Sequence, residues 1–375
     1  MKFTCVKENL AQGLQTVMHV SSKNVTLPIL NNVLVKTKEG GIELVSTNLE
    51  IAIVAEVRAK IDVPGAFTVP TKTFADFVQL VSDEQISVEL IDGGALLVTT
   101  SKTKTKIKGE SAEEFPIIPS AEGGTTFTFN TTQLKEALIQ TSFSVSRSDV
   151  RPELSGVLFH VNPEENRGQL FLAATDSYRL SERRIAVQNE AKEQEARVIV
   201  PARTAQEIIR VLMGARQETV SLTITEGQLS LVVDGVRVVS RLVEGRYPDY
   251  RQIIPTAFGG EALLDTAAFV QNMRAASLFS TTGVNSVSFV FSPSEQQITI
   301  RAANSQLGEF ESSLGGELQG QQEYSILLNH RYVLEGLQHV ATPQVRVKLV
   351  SPDAPCLLVP EGKSDFLYIV MPIKQ

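Results

Sequence analysis

Three basic residues recur at one position of a repeated pattern, and their charge could bind phosphate. Lys72, Arg203 and Arg331 each fall in the first turn of a predicted helix, where a cation opposes the helix dipole by roughly a few tenths of a kcal/mol. The six predicted helical segments (7–23, 71–81, 131–147, 202–216, 266–281 and 330–340) hold ten basic and five acidic residues, although the chain carries a formal charge of -7. This segregation favours a phosphate-facing helical surface. The alternative is that each cation pairs with a nearby carboxylate.

A second charged pattern alternates along predicted strands. Lys102, Lys104, Lys106 and Lys108 alternate with other residues, so their ammonium groups point the same way if the segment is a strand. Glu309 and Glu311 alternate around Phe310 in the same manner. Opposite charges on two strand edges could join two chains head to tail, and two such contacts would close a ring. The alternative is that the lysines only prevent edge aggregation.

Residue types for catalysis are present, but their spacing does not indicate an enzyme. No nucleotide-binding loop, His-Glu-x-x-His helix or Gly-x-Ser-x-Gly turn occurs, and His19, His160, His330 and His339 lack ligand spacing. Asp176 and Glu182 could in principle hold Mg²⁺, but Asp176 has a predicted turn role instead. We expect no catalysis, no metal and no cofactor.

Composition indicates a multidomain globular protein. The 375 residues are 42% hydrophobic and 21% charged, and chains of this length form two to four domains at about 100 to 200 residues each. Cys5 and Cys356 are too few and too far apart for a disulfide framework. Neither a signal-length nor a membrane-length apolar run occurs, so the sequence predicts a cytoplasmic protein.

One pattern of helices and alternating strands occurs three times. A half-buried strand is predicted at Ile42, Leu44 and Ser46, and its counterparts follow at intervals of 128 residues: Leu170, Leu172, Ala174, Ile298, Ile300 and Ala302. Each strand runs into a turn at Asn48, Asp176 or Asn304. Asn130 and Asp265 are predicted helix N-caps.

The repeats predict an α+β fold of three tandem domains, each with two helices packed on antiparallel sheets. Two Pro-x-x-x-Gly-Gly connectors, at 119–124 and 255–260, place the boundaries. The expected domains are 1–122, 123–258 and 259–375.

No helix-turn-helix, zinc pattern, stacking motif or Trp is present, so duplex DNA would be bound without sequence preference.

The chain ends on an unusually apolar segment, 367–375. Leu367, Ile369 and Met371 are expected in the core of a final strand. The segment Val370 to Ile373 could also form one wall of a groove, because Met adapts to varied partners.

Taken together, four segments resemble the bacterial DNA sliding clamps, the beta subunits of DNA polymerase III. They are Thr26–Leu30, Ala174–Leu180, Glu244–Tyr250 and Val370–Pro372. The resemblance spans the whole chain in order. It implies a homodimeric ring of six domains whose helices line a hole for duplex DNA. It also implies a hydrophobic groove that takes short peptides of replicative and repair polymerases, the clamp loader and mismatch-repair proteins.

The resemblance also implies roles for individual residues. The groove would use Leu154, Thr175, Tyr178, Arg179, Leu180, Pro248, Ile253, Asn329, Tyr332, Val370, Met371 and Pro372, with Arg179 framing the rim. DNA contacts would fall on Lys23, Asn24, Arg147 and Ser148, besides Lys72, Arg203 and Arg331. The dimer interface would add Leu278 to Lys102, Lys104, Lys106, Glu309 and Glu311.

A different function class shares some of these features. A repeat scaffold that binds peptides but never encircles DNA would have the groove, yet it needs neither basic helices nor a closed dimer. The mass in solution and the retention on circular DNA distinguish the two hypotheses.

Overall fold

The computed structural model describes residues 1–21, 26–119, 121, 123–148, 150–189, 194–281 and 283–374. Two compact units are formed: Met1–Lys135 with Val187–Gln194 and Arg203–Leu242, and Glu136–Ala186 with Glu195–Ala202 and Val243–Gln375. Both units take strands from the middle repeat. The exact domain boundaries stay a prediction. Within the described ranges, no helix is both long enough and apolar enough to cross a bilayer.

Each repeat contributes two helices whose apolar stripes are buried. They are α1 (Lys7–Val17), α2 (Thr71–Leu80), α3 (Thr131–Ser142), α4 (Ala202–Gly214), α5 (Thr266–Ser277) and α6 (His330–Gln338). Both predicted N-caps are confirmed: Asn130 accepts from Gln133 N at 3.0 Å, and Asp265 accepts from Ala268 N at 2.7 Å.

Several helices end earlier than predicted. After α1, α3 and α5 the backbone bonds become i to i+3, for example Ser144 N to Thr141 O at 3.1 Å and Phe279 N to Ala276 O at 3.1 Å. Such bonds tighten and end a helix. The end of α4 has the same kind of bond, Ala215 N to Leu212 O at 3.4 Å. Arg147 and Arg216 therefore lie beyond helix ends, which corrects their predicted placement inside helices.

The strands follow the repeat. The first repeat holds β1 (Lys2–Val6), β2 (Asn32–Lys38), β3 (Gly41–Thr47), β4 (Ile51–Arg58), β5 (Lys60–Val63), β6 (Ala66–Pro70), β7 (Gln85–Ile91), β8 (Ala95–Thr99), β9 (Lys104–Lys108) and β10 (Glu110–Ser111). The second holds β11 (Thr125–Asn130), β12 (Gly156–Val161), β13 (Gln169–Thr175), β14 (Arg179–Ala186), β15 (Ala196–Pro201), β16 (Thr219–Ile224), β17 (Gln228–Val233) and β18 (Val236–Arg241). The third holds β19 (Gly260–Asp265), β20 (Ser286–Ser292), β21 (Gln297–Asn304), β22 (Gly308–Gly315), β23 (Glu317–Gly320), β24 (Tyr324–Asn329), β25 (Gln344–Leu349), β26 (Cys356–Pro360) and β27 (Phe366–Val370).

Each unit contains one nine-stranded antiparallel sheet and one smaller sheet. The first unit has the orders β5-β1-β7-β8-β9 and β10-β6-β2-β3-β4-β18-β17-β16-β11. The second has β15-β12-β13-β14-β27-β26-β25-β19-β23 and β22-β21-β20-β24. Each nine-stranded sheet joins two consecutive repeats, at a seam where β4 pairs with β18 or β14 pairs with β27.

The predicted repeat strand and its turn are confirmed in all three copies. The strands are β3, β13 and β21, and all nine predicted inward positions are buried. The turn side chains bond the backbone ahead of them: Asn48 accepts from Ile51 N at 2.8 Å, Asp176 from Tyr178 N at 2.9 Å and Asn304 from Gln306 N at 2.9 Å. The third turn is one residue longer, because Thr47 and Thr175 lie opposite Ala52 and Leu180 whereas Ala303 lies opposite Glu309.

A glycine sets the approach of α6 to the sheet. Gly336 interrupts the apolar stripe of α6, and a Cβ there would lie 2.2 Å from ring carbons of Tyr368 in β27. Tyr368 is fully buried and donates from its hydroxyl to Tyr332 O at 3.0 Å. The missing side chain therefore lets the helix pack directly on the tyrosine ring.

Candidate partner groove and charged surfaces

A tight turn between β13 and β14 positions the first groove residues. Thr175 donates from Oγ1 to Arg179 O at 2.6 Å, and Asp176 Oδ1 accepts from Arg179 N at 3.1 Å. Ser177 has a φ of 77°, which carries the chain sharply around the corner. As a result, the Tyr178 side chain is 63% exposed.

Arg179 is fully engaged inside the protein. It is only 7% exposed, and its Nε donates to Asp176 Oδ2 at 3.0 Å. Its Nη2 donates to Phe143 O at 2.9 Å, and its Nη1 pairs with Glu335 of α6. The guanidinium also lies 4.8 Å from the centre of the Tyr332 ring. Arg179 thus ties the turn to α6 and to the end of α3.

Beside this turn lies a fully buried apolar cluster. Leu154, Leu180 and Ile369 pack with Tyr247 and Tyr250, while Met371 packs on the cluster from a partly exposed position. Of the residues that the resemblance implies for the groove, Leu154, Leu180 and Val370 are buried and Pro248 is half-buried. Ile253, Met371 and Pro372 keep exposed surface. The accessible apolar surface is therefore formed by these partly exposed residues, which surround the buried cluster.

The chain end is pinned at two points. Val370 lies opposite Arg179 in the seam, and Met371 N donates to Tyr178 O at 2.9 Å. Ile373 N donates to Leu327 O at 2.8 Å, on the open edge of β24. The predicted core positions Leu367 and Ile369 lie in β27, whereas Met371 follows the strand.

Asn329 and Tyr332 also have structural roles. Asn329 Oδ1 caps α6 by accepting from Arg331 N at 2.9 Å, and Tyr332 O accepts from Tyr368. The sequence did not point to Phe143, Glu335 or the buried bond from Tyr250 to Glu182 Oε2 at 2.6 Å. These contacts join distant segments and leave no local spacing pattern. The carboxylates of Asp176 and Glu182 are both occupied by protein donors.

The repeated cations occupy one structural position. Lys72, Arg203 and Arg331 are each the second residue of α2, α4 and α6, and all three are exposed. Lys72 pairs with Asp76 at 2.6 Å. Arg147 and Ser148 are exposed after α3. Lys23 and Asn24 lie outside the described residues.

The oppositely charged edges are outer strands of the two smaller sheets. β9 carries Lys104 and Lys106, with Lys102 just before it, and β22 carries Glu309 and Glu311. All five side chains are exposed, and Glu311 bonds Arg301 Nε at 2.7 Å. Leu278, which caps α5, is 69% exposed.

Comparisons with known proteins agree along the whole chain. Models for the N-terminal, central and C-terminal domains of the DNA polymerase III beta subunit match residues 1–119, 128–249 and 251–374. The beta sliding clamp of Bacillus subtilis (strain 168) is 26% identical over 383 residues, covering 100% of both chains. That of Synechocystis sp. is 27% identical over 393 residues, covering 100% of this chain and 99% of its own.

Solved structures give the same result. The crystal structure of the Bacillus subtilis DNA polymerase sliding clamp has a TM-score of 0.93 at 25% identity, covering 100% of this chain and 99% of its own. A Pseudomonas aeruginosa sliding clamp bound to griselimycin has a TM-score of 0.93 at 26% identity, covering 100% of both. The chain belongs to the DNA polymerase III beta subunit family, the bacterial sliding clamps.

Proposed function

We propose that this chain is a non-catalytic processivity factor of the cytoplasm. Two copies close into a ring around duplex DNA, the basic helix positions face the phosphates, and the groove beside Tyr178 tethers partner proteins. The partners are the replicative polymerase, the clamp loader, repair polymerases and mismatch-repair proteins, each through a short peptide. No cofactor takes part.

The proposal rests on which two strands lie at the edges of the smaller sheets. In both internal seams, the strand leaving the Asn or Asp turn of one repeat pairs with the last strand of the next repeat. The third repeat's turn strand, β22, is a sheet edge, and so is β9, which is the third strand after the second helix of its repeat, as β18 and β27 are in theirs. A second copy supplies the missing partner for each, so two copies satisfy both edges.

The internal seams also predict the register of this contact. Ala52, Leu180 and Glu309 occupy equivalent positions, because each lies opposite the same position of the repeat strand in its own repeat. In β9, β18 and β27, Lys106 lies opposite Leu97, Val239 opposite Ser230 and Ile369 opposite Leu357. Leu97, Ser230 and Leu357 in turn lie opposite the fifth residue of β7, β16 or β25, namely Glu89, Thr223 or Lys348. Lys106, Val239 and Ile369 are therefore equivalent.

Because Ala52 lies opposite Val239 and Leu180 lies opposite Ile369, Glu309 of one copy should lie opposite Lys106 of the other. Two residues further along the antiparallel pair, Glu311 should lie opposite Lys104. Cross-strand pairs of opposite charge contribute about 0.2 to 1 kcal/mol each. The register therefore brings both acidic residues against lysines.

A charge swap tests this contact. In a Lys104→Glu/Lys106→Glu variant, both β9 and β22 are acidic. In a Glu309→Lys/Glu311→Lys variant, both strands are basic. We expect each alone to dimerise at least about tenfold more weakly in analytical ultracentrifugation. Mixed one to one, the two variants should form a heterodimer, because both of its contacts are complementary again. Reversing Lys60 on the far edge strand β5 is the matched control and should leave the dimer intact. Failure of the mixture to associate would reject this register.

DNA contacts are proposed at Arg203 and Arg331 in particular. In the part of the chain that the structure describes, no carboxylate lies within 4.0 Å of either guanidinium, whereas Lys72 is already paired. An unpaired surface cation is available to a phosphate. Arg147 and Ser148, exposed after α3, add to the same proposal.

The groove proposal rests on a combination of accessible and fixed groups. Tyr178, Ile253 and Met371 offer apolar surface around a closed cluster, and the turn is held rigidly by Asp176 and Arg179. A preorganised apolar site costs little ordering on binding, which suits short peptides.

A further inference from the structure

The second helix of every repeat carries a cation and a carboxylate four residues apart. The cation is the second residue of the helix and the carboxylate is the sixth: Lys72 and Asp76, Arg203 and Glu207, Arg331 and Glu335. Side chains at this spacing are neighbours on a helix surface and form ion pairs. By default, each carboxylate would neutralise its own helix's exposed cation.

Only α2 makes this default pair, Lys72 to Asp76 at 2.6 Å. In α4, Glu207 is bonded by Arg210 at 2.5 Å and is itself buried. In α6, Glu335 is bonded by Arg179, which comes from the groove turn rather than from the helix. Of the described carboxylates, none lies within 4.0 Å of Arg203 or Arg331.

We propose that Arg179 is a positioning residue for DNA binding: by holding Glu335, it keeps Arg331 unpaired and available to phosphate. This rests on the proposed function, in which Arg331 faces the duplex. Arg179 can do so because Asp176, Phe143 O and the Tyr332 ring fix its guanidinium. Glu335 remains about half exposed, so it is free to turn to Arg331 once Arg179 is removed.

The arrangement links the two binding surfaces of the chain. Arg179 follows Tyr178 directly in the groove turn, and its carboxylate partner lies one helical turn from Arg331. A change at the groove that displaces the guanidinium therefore alters the charge offered to DNA without moving the backbone of α6.

The test measures binding of the purified dimer to a short fluorescent duplex by anisotropy over a range of salt concentrations. Arg331→Gln calibrates the loss of one cation per chain, which lowers the salt slope by up to about 0.9 per phosphate contact. Arg179→Met should weaken binding about twofold and lower the slope part of the way towards Arg331→Gln. Adding Glu335→Gln to Arg179→Met should restore the wild-type affinity and slope, because the released carboxylate is gone. Asp76→Asn, which frees Lys72, should change binding in the opposite direction.

Structural damage to the groove turn would not be repaired by Glu335→Gln, so the rescue separates electrostatics from misfolding. The proposal is overturned if Arg179→Met binds as wild type while Arg331→Gln is weakened, or if the double variant stays as weak as Arg179→Met. If Arg331→Gln itself has no effect, then the DNA-facing role of Arg331 fails as well.

Discussion

Arg179 has contacts that a local sequence motif does not reveal. The resemblance places it on the groove rim, and in the structure its guanidinium is buried and donates to Asp176, to the Phe143 carbonyl and to Glu335. Its partners Phe143 and Glu335 are 36 and 156 residues away along the chain. Spacing arguments reach only neighbours on one element, so this network was not predictable from sequence.

The buried side chain of His339 makes stability depend on pH. Burial, and then Arg179, lower the pKa of His339 from 6.5, against the opposing effect of Glu335, and its ring stacks on Phe143 at 4.1 Å. Below pH 6.5 the imidazole therefore binds a proton more readily in the unfolded chain than in the folded chain. The free energy of unfolding should consequently decrease as the pH is lowered. His339→Phe keeps a ring against Phe143 and should flatten part of this loss in urea unfolding between pH 7 and 5. An unchanged pH profile would contradict the assignment.

Helices and strands were largely predictable because their signals are local. The repeat strand, its Asn or Asp turn and the caps at Asn130 and Asp265 follow from periodicity and side-chain chemistry, and all are confirmed. The helix ends were less accurate, since i to i+3 bonds stop α1, α3 and α5 early. The seam between β14 and β27 joins segments about 190 residues apart in the chain, and no local pattern encodes that pairing.

Gly336 provides a stability prediction for α6. Ala is normally favoured over Gly in a helix by about 1 kcal/mol. At Gly336 its Cβ would meet the buried Tyr368 ring at 2.2 Å, and overpacking of this kind costs about 1 to 3 kcal/mol. We therefore expect Gly336→Ala to lower the urea midpoint. Gly214→Ala in α4 is the matched control and should be neutral or stabilising, because no described atom outside its own helix backbone and adjacent residues lies within 4 Å of the Cβ position.

The chain end supports a prediction about the groove. Deleting Met371 to Gln375 removes the bonds to Tyr178 O and Leu327 O together with the Met371 wall. We expect affinity for a short peptide with Gln and Leu or Phe side chains to fall at least about tenfold, measured by calorimetry. The dimer should survive, because β9 and β22 are untouched. Lys374→Ala, at an exposed position of the same segment, should bind the peptide normally; unchanged affinity in the deletion would refute the groove.

Retention of the assembled ring on DNA should depend on topology rather than on binding affinity. The chain is acidic overall, with few exposed cations at the helix starts, so each phosphate contact is weak and readily broken by salt. Protein placed on circular DNA by its loader should remain bound through a gel-filtration column, and linearising the DNA should release it. Equal retention on both forms would instead favour the peptide-binding scaffold.

The longer turn of the third repeat shows where the chain should tolerate a change of length. Glu309 lies opposite the same position of the repeat strand as Ala52 and Leu180 do, so the additional residue is contained within the turn and does not shift the outgoing strand. A shift of one position in a pleated sheet would exchange its inner and outer faces, and this containment avoids that. A chain that lacks one of residues 305 to 307 should therefore still co-assemble with the unaltered chain, because its acidic side chains keep their alignment with the lysines of a neighbour.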